Sequence, residues 1–298
     1  MLAPEEIDRD KRTAVPLTIK PLHPTFGAEV SGVDLTRPIA PDVREEIIAA
    51  MDRYGVCVYR DTGLSDGGHV AFSRIFGELM QAPRMGDRKA RMPLPELFDA
   101  GNLDTEGQIN ADELLRQHKR GDRQWHTDTS FMQDRSSYSL LLAHEIPEDG
   151  GDTEFADLRT AYEALPPAMQ ERIEDLIAEH SIWYSRMTSG FPFTEADVAA
   201  RGQAARHRVA QLHAGSGRKT LYVASHAIGI VGWEKDEGRA LLKELIGFAT
   251  QPQYVLRVAW GLGDLVVWDN RCTMHRATEF DDIANRRDMR RTTVKEAA

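Results

Sequence analysis

The stretch YSLLLAHEIPEDGGDTEFADL, residues 138–158, decides how the chain folds. Residues 138–146 and 152–158 both read as strands, and the EDGGD segment between them is a turn rich in the residues that tolerate a tight reversal. Working downstream, further strand candidates lie at 219–224, 254–260 and 264–268, with the turns AGSGRK and GLGD beside them. Upstream, turn residues punctuate apolar ones over 27–35 (GAEVSGVDL), and VCVYR at 56–60 is a short strand. A helix fits 41–54, with Val43, Ile47, Met51 and Tyr54 on one face and Gly55 as its stop. An amphipathic segment at 70–76 is expected to pack on the same side. Two more helices are predicted, 167–180 with Met169, Ile173, Leu176 and Ile177 on one side, and 235–248 with Leu241, Leu242 and Leu245. Residues 79–123 mix prolines, glycines and charges with little periodicity, which predicts a long loop with a turn of helix, of the kind used as an active-site lid. No internal repeat or linker interrupts residues 1–298. The fold expected is one domain, mainly β with flanking helices, a sandwich or a double-stranded β-helix (jelly roll).

Composition narrows the function classes. The 298 residues are 41% hydrophobic and 28% charged, as in an ordinary globular protein. Apolar runs such as 138–143 are far too short to cross a bilayer, and MLAPEEIDRDKR lacks the apolar stretch of a signal peptide, so a cytoplasmic location and no membrane partner are expected. A net charge of -10 argues against nucleic-acid binding. The basic islands RQHKRGDR (116–123) and RRDMRR (286–291) read first as solvated surface, with attraction of a small anion as the sharper alternative. Cys57 and Cys272 form no CxxC or zinc-finger spacing and are expected as buried free thiols. The GSG within HAGSGRK (213–219) lacks the helix and GK[ST] ending of a phosphate loop and is read as a hairpin turn. Asp269 and Asn270 read as turn formers.

The chemical signal is Trp125-His126-Thr127-Asp128. In an extended chain residues two apart point the same way, so the His126 imidazole and the Asp128 carboxylate can converge on one ion. His275, beyond LVVWDNRCTM, is brought beside them if the sheet folds back on itself. Two imidazoles and one carboxylate occupy one face of an octahedral metal and leave positions open, the arrangement of non-haem iron(II) oxygenases. HxD alone is weak, because such spacings recur by chance.

Longer motifs strengthen it: PLHPTFGAEVSGVDL, HVAFSRIFGEL, WHTDTSF, GGDTEFADLRTAYEALP, HAGSGRKTLYV, GDLVVWDNRCTMHRAT and RRDMRRTTV. Through these, from about residue 21 to 294, the chain resembles the TauD/TfdA superfamily of Fe(II)/2-oxoglutarate-dependent dioxygenases. GGDTEFADLRTAYEALP and HAGSGRK point to its aryloxyalkanoate branch. The resemblance implies that His126, Asp128 and His275 hold iron(II), that Thr153 and an arginine of RRDMRR hold 2-oxoglutarate, and that Trp268 lines the cosubstrate pocket. Counting from the distal histidine selects Arg286, whereas aligning the following strand selects Arg287; the strand register is preferred, since a turn absorbs an extra residue more easily.

On the substrate side the resemblance assigns Arg291 to an acidic group and His226 to the neighbourhood of the substrate. Arg84 and Met85, with Met80, suit an anion with an apolar body. Ala82 and Met85 stand where the taurine enzymes present a histidine and a tyrosine, which disfavours taurine. The activity implied is oxidative decarboxylation of 2-oxoglutarate, with O2, coupled to hydroxylation of a small anionic substrate such as 2,4-dichlorophenoxyacetate and cleavage of its ether, in a homo-oligomer. An alkylsulfonate or another carboxylate is the alternative substrate. A zinc hydrolase and a non-catalytic jelly-roll binding protein are the alternatives of other classes.

Overall fold

The computed structural model describes residues 17–82, 91–202 and 204–297. In chain order the elements are β1 (Thr18–Pro21), β2 (Ala28–Ser31), α1 (Pro41–Tyr54), β3 (Val56–Tyr59), α2 (Asp66–Ser73), β4 (Phe98–Asp99), α3 (Glu113–Lys119), β5 (Ser136–Glu145), β6 (Thr153–Asp157), α4 (Leu158–Ala164), α5 (Pro167–Ile173) and β7 (Ile177–His180). They continue as α6 (Ile182–Thr188), α7 (Glu195–Ala200), β8 (Ala205–Arg208), β9 (Ala210–His213), β10 (Arg218–Leu221), β11 (Ala227–Ile230), α8 (Lys235–Ala249), β12 (Val255–Val258), β13 (Leu265–Asp269), β14 (Thr273–Ala277) and β15 (Asp288–Lys295).

Seven strands form one sheet in the order β1-β2-β3-β13-β5-β15-β4, opposed by β12-β6-β14, with β11-β7-β8 and the β9–β10 hairpin completing the second side. Alternation along the central strands explains the layering. Val58, Leu141, Val266 and Trp268 of the large sheet meet Phe155, Leu256 and Val258 of the small one. Their sequence neighbours Cys57, Leu140, Leu142 and Val267 point the other way, against Ile47 and Met51 of α1 and Phe72 of α2. Ala156 and Met274 face outward from the small sheet onto Leu158, Ile173, Leu241 and Leu245 of the second helical layer. Because both faces of β3, β5 and β13 are covered, their central stretches 56–59, 140–143 and 265–268 read as unbroken apolar runs, and each buried leucine contributes about 1.5–3 kcal/mol. The core is a jelly roll with flanking helices, as the sequence predicts.

Helix α1 ends as expected: Gly55 adopts φ 70° and returns its N–H to the Met51 carbonyl. Both cysteines are buried and free, and residues 213–218 close the β9–β10 hairpin. The predicted helix 167–180 is corrected. It stops at Ile173, and Ile177–His180 is a strand paired with β8 and β11. There Ile177 points outward, 38% exposed, while Ala178 is buried, so a pairing strand overrides an apolar spacing that also fits a helix. The described residues of the segment 79–123, namely 79–82 and 91–123, hold more regular structure than predicted. It adds β4 to the sheet edge opposite Arg291 and forms α3, capped by Asp112 and continued by a 3-10 turn over Arg120–Arg123. Helix α3 buries no residue, which is why no apolar period announces it. Among the described residues no helix is long and apolar enough to cross a membrane.

Candidate active site

Strand β13 turns at residues 270–272 and leaves the large sheet; β14 then runs in the small sheet and carries His275. Opposite it, His126 forms a single antiparallel bridge, with His126 N–H to the His275 carbonyl at 2.9 Å and the reverse bond at 2.8 Å. Residues paired in this way present their side chains on one face, and the two imidazole centroids lie 4.2 Å apart. Asp128 completes the group: ligand atoms of His126, Asp128 and His275 all lie within 4.8 Å of one another, and all three residues are buried. The HxD segment is not the start of a strand. After the bridge it reverses at Thr129, whose φ of 57° is rare for a β-branched residue. The reversal is held by Ser136, whose N–H donates to Thr129 Oγ1 at 2.8 Å.

Each ligand is oriented from outside. His126 Nδ1 lies 2.8 Å from the Gln124 carbonyl, so the proton belongs on Nδ1 and the lone pair on Nε2. His275 rests against Trp268 at 4.6 Å between centroids, with its Nε2 3.8 Å from Asp128 Oδ2. Burial, followed by His126 and Arg291, holds the His275 pKa well below the ordinary value, which keeps the imidazole a neutral donor. Asp128 Oδ2 accepts from Ser139 Oγ at 2.7 Å, its N–H donates to Asn270 Oδ1 at 3.2 Å, and its Oδ1 meets the Arg291 guanidinium. This donor set suits a divalent metal that takes imidazole and carboxylate together. A second buried group, His213, Asp269 and Cys272, is occupied internally. His213 bonds Ser216 at 2.7 Å and Asp269 at 2.9 Å, and Asp269 pairs with Arg271 at 2.6 Å, pinning the β13–β14 turn.

The two candidate arginines for a dicarboxylate sit in opposite environments. Arg287 is buried, donates to the Ala100 and Gly151 carbonyls at 3.2 and 3.3 Å, and makes no ion pair among the described residues. Burial lowers its pKa to about 10, which leaves it cationic at neutral pH. Arg286 points to solvent and pairs with Glu145 at 2.6 Å. Thr153, two residues from the Phe155 that faces His275 in the β6–β14 pair, is buried and accepts from Trp260 Nε1 at 3.1 Å. Trp268 is 1% exposed; its ring packs on His275 and Phe155 and its indole N–H donates to Asn270 at 3.0 Å.

Arg291 lies over the Phe98 ring at 4.7 Å while touching Asp128. The His226 ring is 5.9 Å from that of His126; its Nδ1 bonds Ser130 Oγ at 2.8 Å, and burial holds its pKa well below the ordinary value. Met80 is tied to β15 through the Thr293 carbonyl at 2.8 Å, whereas Arg84 and Met85 lie outside the described residues. Sequence reasoning missed Ser139, Asn270, Gln124 and Phe98. Asn270 does stand in the expected turn, but its side chain is fully buried beneath Asp128, and only its place two residues after Trp268 hinted at that.

Comparison with known proteins gives concordant results. The family model described as Taurine catabolism dioxygenase TauD, TfdA family matches residues 18–293. An alpha-ketoglutarate-dependent 2,4-dichlorophenoxyacetate dioxygenase of Cupriavidus pinatubonensis (strain JMP 134 / LMG 1197) is 40% identical over 283 residues, 93% of this chain and 97% of that one. An (S)-phenoxypropionate/alpha-ketoglutarate-dioxygenase of Sphingobium herbicidovorans is 33% identical over 277 residues, 88% of this chain and 90% of its own. The crystal structure of AAD-2 in complex with Mn(II) and N-oxalylglycine superposes with a TM-score of 0.89 at 38% identity, covering 94% of this chain and 98% of that one. A match over nearly the whole chain, meeting a buried His-Asp-His group in a jelly-roll core, means that this chain belongs to the TauD, TfdA family of dioxygenases.

Proposed function

We propose that the protein is an iron(II)- and 2-oxoglutarate-dependent dioxygenase that hydroxylates a small anionic substrate, an aryloxyalkanoate such as 2,4-dichlorophenoxyacetate, whose ether then breaks. The observation that carries this reading is a buried His126-Asp128-His275 group together with a buried arginine, Arg287, that makes no ion pair among the described residues. His126 and His275 would each offer an imidazole nitrogen and Asp128 a carboxylate oxygen to the ion, a donor set that suits iron(II) and would leave coordination positions for cosubstrates. Bound iron(II) supplies the redox chemistry, using O2 and 2-oxoglutarate and releasing succinate and carbon dioxide. Arg287 and the Thr153 hydroxyl grip the far carboxylate of 2-oxoglutarate, the guanidinium through paired charge-assisted bonds. Trp268 holds the His275 ring from the core side and, in this reading, borders the cosubstrate pocket.

Arg291 is the cation for the substrate anion, with the Phe98 ring as apolar surface against it and His226 next to His126. Arg84 and Met85 are further substrate candidates from the sequence alone and lie outside the described residues. The described residues 79–82 and 91–123 serve as the covering segment of one catalytic unit, and the enzyme works in the cytoplasm. A zinc hydrolase on the same three ligands would have no use for Arg287 and Thr153. The test is succinate formation from 2-oxoglutarate and iron(II) under air, with and without an aryloxyacetate, in wild type and Asp128→Ala. Wild type should form succinate and phenol in step, and Asp128→Ala should lose both by at least two orders of magnitude, on the order of 3 kcal/mol or more of transition-state stabilisation. Aryloxyacetate-independent succinate with no phenol would move the substrate to another anion, an alkylsulfonate first. No succinate under any condition would remove the dioxygenase reading.

A further inference from the structure

Asp128 is held by a hydrogen-bond chain whose directions are forced. Asn270 Oδ1 lies 3.0 Å from Trp268 Nε1 and 3.2 Å from the Asp128 backbone N. Both are donors only, so this atom of the side-chain amide must be the oxygen. Its partner, Nδ2, therefore donates, and it lies 2.9 Å from Ser139 Oγ. Ser139 accepts there, which leaves its single proton for the remaining neighbour, Asp128 Oδ2, at 2.7 Å. The Asn270 backbone N–H is fixed as well, on the Ser137 carbonyl at 2.8 Å. Ser139 and Asn270 are both completely buried, so no solvent competes for these bonds.

We propose that Ser139 and Asn270 act as a clamp that sets the plane of the Asp128 carboxylate for metal binding. The inference rests on the metal site proposed above and concerns two residues that touch neither metal nor substrate; they are positioning residues. Rotation of an aspartate carboxyl about its last bond is soft, and on the other oxygen Arg291 pulls toward the substrate side. A donor fixed on Oδ2 opposes that pull and holds the group facing the two imidazoles. The β13–β14 turn supplies the rigidity: Asn270 follows Asp269, which His213 and Arg271 lock in place. One turn thereby places His275 through β14 and Asp128 through Asn270, joining ligands that lie far apart in sequence.

Asn270→Ala deletes three side-chain bonds of a buried amide and mixes folding with binding, so Ser139→Ala, which removes one oxygen, carries the test. Ser137→Ala is its control. That hydroxyl sits two residues away on the same strand, bonds the Val294 and Lys295 carbonyls at 3.4 and 3.1 Å, and does not reach Asp128. Mn(II) alone is titrated into metal-free wild type and both variants, and free Mn(II) is followed by electron paramagnetic resonance, with the metal-free melting temperature as the measure of folding. Ser139→Ala should bind Mn(II) roughly ten- to hundred-fold more weakly than wild type, the usual cost of losing such an outer partner, and Ser137→Ala should match wild type. Equal Mn(II) affinity in Ser139→Ala and wild type, or equal weakening in both variants, overturns the clamp. Absence of Mn(II) binding by wild type overturns the metal reading and the clamp with it.

Discussion

Arg286 reaches outward to Glu145 at 2.6 Å, while Arg287, its neighbour, turns inward to the Ala100 and Gly151 carbonyls. A guanidinium that is buried without an anion is costly to keep, whereas an exposed pair contributes little. Arg287→Ala should therefore raise KM for 2-oxoglutarate roughly ten- to hundred-fold, corresponding to about 1.5–3 kcal/mol for a charge-assisted bond, and Arg286→Ala should leave it within about threefold. Initial rates of succinate formation against 2-oxoglutarate decide it, and a reversed order of effects would shift the register of β15 by one. At this scale the three metal-ligand candidates were legible because their types are rare and chemically marked. Ser139 and Asn270 were not. A serine in an apolar strand and an asparagine in a turn look ordinary until the fold shows what lies over them.

Strand β15 and the segment carrying β4 meet at Gly101, where a Cβ would lie 2.4 Å from the Arg287 carbonyl oxygen and 3.2 Å from Asp288 Cα. Both are main-chain atoms and cannot rotate away. Gly101→Ala must separate the covering segment from β15 just where Arg287 is held, at a cost of about 1–3 kcal/mol typical of overpacking. The expected outcome is a lower melting temperature together with a raised 2-oxoglutarate KM, and a variant that melts early with normal KM would uncouple that contact from the cosubstrate site. Elements were legible where both sides of a pattern were present. Helix α1 has an apolar face and a glycine stop, and β5 and β13 are apolar on both faces. The strand β7 and the helix α3 were not, since the first is defined by partners at 205–208 and 227–230 and the second buries nothing.

Across the whole molecule, several histidines are folded away in neutral form, and this sets its response to acid. His69 lies between α2 and β15, with Nε2 3.2 Å from Thr292 Oγ1, and burial lowers its pKa to about 4. His180 is packed against His207 and Tyr222 at centroid distances of 5.4 and 5.8 Å, and burial lowers its pKa to about 3. In the unfolded chain both return to about 6.5. Above that pH neither state is protonated and the contribution is complete. As pH falls below 6.5 the unfolded state takes up protons that the folded state refuses, so stability declines, and the decline levels off only near the folded values. At pH 5 the loss is about 2 kcal/mol for each of the two histidines. Carboxylates such as Asp269 and Asp288, held low by their arginine partners, contribute their own loss only below about pH 4, where unfolded carboxylates protonate. The interval between pH 6.5 and 5 thus belongs to the histidines. Melting of the metal-free protein should fall steadily across it, and His180→Leu should remove about one proton's share of that slope even if its stability at pH 7.5 differs from wild type. A melting temperature that stays flat from pH 7 to 5 would mean that these imidazoles reach solvent and titrate normally in the folded protein.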